Sequence, residues 1–225
     1  MPRHALTLIL LTVLAACGPS STPATPDFGS ELASFRHLPG YFDLYWDEGK
    51  GRLIVRVDAF DEPFLYQSSL ARGVGSNDIG LDRGQLGGTH VVEFRRVGPK
   101  VLLIEKNYRF RAVSDNPQEA RAVEEAFARS VHWGFEVAAQ EGGRVLVDAT
   151  PFLLRDAHDV EGRLTAADQG TYRVDASRSA VNLERTRNFP RNTELDAFIT
   201  YVGEPRGFWI RSVTPTASAV TVQLH

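Results

Sequence analysis

The first apolar run in the chain differs from every later one. Residues 5–14 (ALTLILLTVL) are almost continuously apolar, follow Arg3 and His4, and lead into the small residues Ala15 and Ala16. That order predicts a signal peptide over residues 1–16, and the run is shorter than the roughly 20 residues needed to span a bilayer. Residues 18–26 (GPSSTPATP) contain no large apolar residue and cannot build a core, so residues 17–34 read as a solvated tether.

From residue 35 the pattern changes to two-residue alternation. Residues 41–46 place Phe42, Leu44 and Trp46 on one side, and residues 52–58 place Leu53, Val55 and Val57 on one face. The glycine-rich turn between them predicts a hairpin. Residues 64–70, 89–97 and 100–113 are further strand candidates, the last two forming a second hairpin through Gly98-Pro99 with one wet face. One helix is expected. Asn116 can cap it, Pro117 suits its first turn, Glu119 completes a capping box, and Ala120, Val123, Phe127 and Val131 recur at helical spacing to cover a sheet. Arg121 with Glu125, and Glu125 with Arg129, would pair on its exposed side. Residues 134–138, 144–149, 172–174, 194–202, 208–213 and 219–224 resume the strand pattern, and residues 155–164 read as a short helix. The expected class is α+β, mainly antiparallel sheet with one covering helix. Alternation at Val220, Val222 and Leu224 runs up to His225 without a turn or polar tail, which reads as a sheet cut short at an unpaired edge.

Composition narrows the class. The chain has 225 residues, 43% of them hydrophobic and 24% charged, enough for one domain or one domain and part of a second. A net charge of −3 gives no general attraction to nucleic acid. The single cysteine, Cys17, excludes disulfides within the chain and zinc sites built on paired cysteines. Its setting, Leu14-Ala15-Ala16-Cys17, resembles the lipobox of bacterial lipoproteins. The resemblance implies cleavage before Cys17, lipid on its thiol, and a membrane as partner through that anchor. Gly18, where an aspartate would signal inner-membrane retention, implies an outer-membrane location facing the periplasm or the exterior.

Motifs for catalysis are missing. The chain has no H-E-x-x-H, no G-x-S-x-G, no serine with a lysine three residues later and no Walker loop. His37, His90, His132 and His158 are scattered, and each reads as a surface or satisfied core residue rather than a ligand. Residues 73–88 (GVGSNDIGLDRGQLGG) are the most unusual stretch, with Ser76, Asn77, Asp78, Asp82 and Arg83 among the glycines. Two readings stand: an ordered loop held by its own hydrogen bonds, or a surface that meets a partner.

The same loop carries a family resemblance. Ser68-Ser69-Leu70 with residues 75–87 (GSNDIGLDRGQLG), residues 94–103 (FRRVGPKVLL), 145–150 (VLVDAT) and 154–156 (LRD) resemble a domain that precedes the catalytic part of bacterial zinc-dependent metalloproteases. Residues 172–175 (YRVD) before 177–179 (SRS), and Arg185-Thr186 before Phe189-Pro190, fit as well. The resemblance implies a metzincin-like part that follows, where zinc would be held and a glutamate would activate water. No catalytic or metal residue can be assigned within this chain, so no cofactor is expected in it. The expected role is a lipid-anchored, non-catalytic region that positions or braces its own catalytic domain, with peptides or proteins as substrates of the whole. Asn77, Asp78, Asp82 and Arg83 are the expected contact residues, with bracing favoured over latency. The alternative is a stand-alone envelope lipoprotein acting as a binding or structural module.

Overall fold

The computed structural model describes residues 28–225; Cys17 and the signal-peptide positions lie outside the described residues. The strands are β1 (Arg36–Leu38), β2 (Asp43–Asp47), β3 (Arg52–Val57), β4 (Phe64–Arg72), β5 (Leu86–Val97), β6 (Lys100–Glu105) and β7 (Val131–Glu141). They continue with β8 (Arg144–Asp148), β9 (Gly170–Val174), β10 (Ala180–Val181), β11 (Arg187–Phe189), β12 (Asn192–Glu194), β13 (Ala197–Pro205) and β14 (Ala219–Leu224). The helices are α1 (Phe28–Leu32), α2 (Pro117–Ala126), α3 (Thr150–Leu153), α4 (Val160–Ala166) and α5 (Phe208–Val213). One large antiparallel sheet, ordered β1-β2-β3-β8-β7-β6-β5-β4-β14-β13-β10 with β9 also on β13, curls into a half-barrel.

The first hairpin forms as its pattern demands. Leu44 faces Val55 and Trp46 faces Leu53 across β2 and β3. Its turn closes on Asp47, whose carboxylate accepts from Lys50 N at 3.1 Å and from Arg52 Nη2 at 2.9 Å. Two cores fill the curl. One holds Leu53, Val55, Val92, Phe94, Leu103, Phe135 and Val147; the other holds Leu70, Leu81, Leu164, Ile199, Tyr201, Val222 and Leu224. Each such side chain, fully buried, contributes about 1.5–3 kcal/mol. Phe28, within the stretch read as tether, is packed in a third cluster, buried beside Ile54 and Leu146.

Further expectations are corrected. The helix at Pro117–Ala126 does not cover the sheet, because none of its residues is buried. Its local signals act as read, with Asn116 Oδ1 accepting from Gln118 N at 3.0 Å and Arg121 paired with Glu125 at 2.6 Å. Its apolar end meets a loop instead, where Phe127 stacks on Phe110 at 4.0 Å, and Arg129 turns to Glu124 and to the buried Glu93 rather than to Glu125. The strand expected over 100–113 stops at Glu105, because Asn107 Oδ1 accepts from Arg109 N and Phe110 N and folds the chain into a turn. Phe208–Val213 is a helix, not a strand. Only Ile210 among its residues is buried, which a single helical turn satisfies, and Ile210 N is anchored on Gln169 Oε1 at 3.0 Å. Finally, the end of the chain is not an edge: β14 lies between β4 and β13, with Val220, Val222 and Leu224 buried. Among the described residues, no helix is long and apolar enough to cross a membrane.

His158 gives the fold an acid weakness. It is 4% exposed, and neither ring nitrogen has a hydrogen-bond partner among the described residues. Burial pushes its imidazole below the ordinary value, Arg163 adds to this, and Asp156 opposes it. Between about pH 6.5 and the lower folded value, the unfolded chain therefore binds more protons than the folded one, and stability falls as pH falls. Melting followed by circular dichroism from pH 7 down to pH 5 should show a smaller loss for His158→Leu than for the wild type. Parallel curves would remove His158 as the cause.

Candidate functional site

Three strands bring together residues that lie far apart in sequence. His90 alternates with Val92 and Phe94 on β5 and so shares their inner face. Glu105 ends β6 directly opposite Val92, which puts its side chain on that face too. His132 reaches the site through an irregularity. Leu103 pairs with Trp133 but Ile104 pairs with Val131, so His132 is an extra residue in β7. Such a bulge turns a side chain that plain alternation would send to the opposite face.

The result is a compact His–Glu–His group. Glu105 Oε2 lies 3.1 Å from His90 Nδ1 and 2.9 Å from His132 Nε2, and the two imidazole centroids are 4.5 Å apart. All three side chains are half-buried. Burial pushes the Glu105 carboxyl upward, but the hydrogen bond to His132 and the close approach of both imidazoles outweigh it and hold the group below its usual value. Tyr66, opposite His90 on β4, stacks its ring on that imidazole at 6.2 Å, and its hydroxyl accepts from Arg155 Nη2 at 2.7 Å. One carboxylate and two imidazole nitrogens are a donor set able to hold a divalent transition metal.

Sequence reasoning did not assemble this group. The inner-face position of His90 is legible in its alternation with Val92. The bulge that turns His132 has no signature in the sequence. His37 pairs separately with Asp43 at 2.9 Å, and His158 is buried elsewhere.

The loop from Gly73 is ordered. Val74, Ile79 and Leu81 are buried in the second core, Val74 N donates to Leu81 O at 3.0 Å, and Arg163 Nη1 donates to Gly80 O at 2.9 Å. Gly84 N donates to Leu70 O at 2.6 Å, closing the base. This scaffold leaves Asn77, Asp78 and Arg83 exposed and Asp82 half-buried. A third feature is a cavity of about 780 Å³ where the two cores meet, lined by Phe42, Phe64, Tyr66, Phe135 and Phe152, with Arg155, Glu194 and His225 as polar groups.

No curated protein and no solved structure matches the chain. A family described as a domain of unknown function, DUF5117, matches residues 84–225, a span that runs from the end of the Gly73 loop through the His–Glu–His strands to the last strand. That span is more than half of the 225 residues, and the protein belongs to the DUF5117 family.

Proposed function

We propose that this chain is a lipid-anchored, non-catalytic region of a bacterial zinc-dependent metallopeptidase, which positions or braces the catalytic part. The observation that carries the proposal is the Gly73 loop. Apolar anchors and backbone clasps fix it from below, while Asn77, Asp78 and Arg83 are exposed above. Hairpin connections usually need two to five residues, so a rigid polar platform of this length suits a contact with another folded part. The resemblance of residues 75–87 to the domain that precedes such catalytic parts supplies the partner. Zinc and the water-activating glutamate would belong to that following part, and peptides or proteins would be its substrates. Cys17, placed by the Leu14-Ala15-Ala16-Cys17 motif, would carry the lipid, with the protein in the cell envelope at the outer membrane.

The coding region beyond His225 tests the assignment: it should continue into an H-E-x-x-H segment. A stop codon at that point, with no peptidase encoded nearby, would sink the proposal. For the anchor, a clickable fatty acid should label the wild type and not Cys17→Ser. Equal labelling of both would exclude that site.

The cavity favours a second reading, an envelope lipoprotein that binds an apolar ligand, since aromatic rings with a few polar groups are the usual lining of a small-molecule site. Saturable binding of a fluorescent fatty acid by the isolated chain, lost on Phe135→Trp, would support it over bracing.

A further inference from the structure

We propose that His90, Glu105 and His132 form a divalent transition-metal site within this domain, with zinc as the first candidate, separate from any zinc in a following catalytic part. This goes beyond the bracing role and does not depend on it.

The first argument is convergence. His90 Nδ1 and His132 Nε2 both approach the same carboxylate oxygen, Glu105 Oε2, at 3.1 and 2.9 Å. Ligand atoms held about 2.0–2.1 Å from one ion stand roughly 2.9–3.4 Å from each other, so both separations suit the edges of a coordination sphere. The second argument is alignment. His90 Nδ1 is buried and near the carboxylate, yet it has no hydrogen-bond partner among the described residues. A nitrogen aimed beside the oxygen rather than at it is placed to share an ion with it. The third is charge. Two imidazoles with centroids 4.5 Å apart repel when both are protonated, whereas two neutral imidazoles and a carboxylate neutralise half of a divalent charge. The set leaves room for at least one further ligand, such as water.

The surrounding chain is fitted to the group. His132 faces Glu105 only because β7 bulges there. A Cβ built on Gly88 would lie 2.5 Å from His90 Nε2, so glycine leaves the space that the imidazole occupies. A bound ion would tie β5, β6 and β7 together at one end of the half-barrel.

The test is titration of the metal-free chain with zinc chloride, in a Cys17→Ser background so that the thiol contributes nothing. One ion per chain should bind, and zinc should raise the melting temperature. His132→Ala and Glu105→Gln should abolish both effects. Gly88→Ala, which displaces a ligand without removing one, should weaken binding about tenfold. Cobalt(II) added to the unsubstituted site should give the visible absorption of four- or five-coordinate nitrogen and oxygen ligation, a readout that holds even if a variant folds poorly. No stoichiometric ion, no cobalt band, or zinc binding that survives both ligand substitutions would each overturn the proposal.

Discussion

Asp196→Ala should cost the fold about 3–5 kcal/mol. The Asp196 carboxylate is fully buried between β12 and β13. It accepts from Asn182 Nδ2 at 2.8 Å, and Gln223 Nε2 lies 2.8 Å from each of its oxygens. Arg185 Nε at 3.6 Å and His225 Nδ1 at 3.5 Å stand around the same group. Alanine leaves the Asn182 and Gln223 amides buried without an acceptor, at roughly 1–3 kcal/mol each, and removes the charge that holds Arg185. Asp196→Asn keeps the shape and one acceptor, so its loss should be smaller, about 1–2 kcal/mol. Urea unfolding measures both. A loss under about 1 kcal/mol for the alanine form would mean the network relaxes onto water, and Asp196 would not be the pin between β10, β13 and β14.

Gly73→Ala should be the second most damaging change, through the backbone rather than a side chain. A Cβ at Gly73 would sit 1.9 Å from the carbonyl oxygen of Leu81 and 2.8 Å from its carbon. Neither atom can rotate away, because Leu81 O also accepts from Val74 N and Leu81 is fully buried. The loop must spread at its base, which withdraws Val74, Ile79 and Leu81 from the second core. Overpacking typically costs about 1–3 kcal/mol, and loss of one core side chain adds about 2 kcal/mol or more. The melting temperature should fall, with hydrogen exchange rising first at Val74 and Gly84, the two clasp donors. Unchanged protection at those amides would show that the loop is not fixed through its base.

Both sites depend on pairings that alternation alone does not reveal. The β2–β3 hairpin and β14 were legible because one face is apolar and the other polar, which fixes period and register. Position within the sheet was not legible: Val220 to Leu224 read as an edge and lie between two strands. Phe208–Val213 alternates, yet forms a helix because Gln169, distant in sequence, supplies the acceptor for Ile210 N. Residues 106–113 keep an alternating pattern, but the Asn107 side chain outcompetes the ladder. In the His–Glu–His group, the positions of His90 and Glu105 follow from strand period, whereas His132 needs a one-residue insertion that only the pairing of β6 and β7 shows. The four loop residues were legible as an unusual polar set, but not the apolar anchors Val74, Ile79 and Leu81 that hold them rigid.

The proposed bracing role is tested most directly by Asp78→Ala and Asp82→Ala, made both in this chain and in a longer protein that would carry the proposed catalytic part. Asp78 is exposed and Asp82 half-buried, so the isolated chain should melt as the wild type does. In the longer protein, the same substitutions should lower the melting temperature and slow peptide hydrolysis together. Faster hydrolysis would point instead to a loop that keeps the enzyme latent. Hydrolysis and melting both unchanged in the longer protein would contradict any contact between this loop and a catalytic partner.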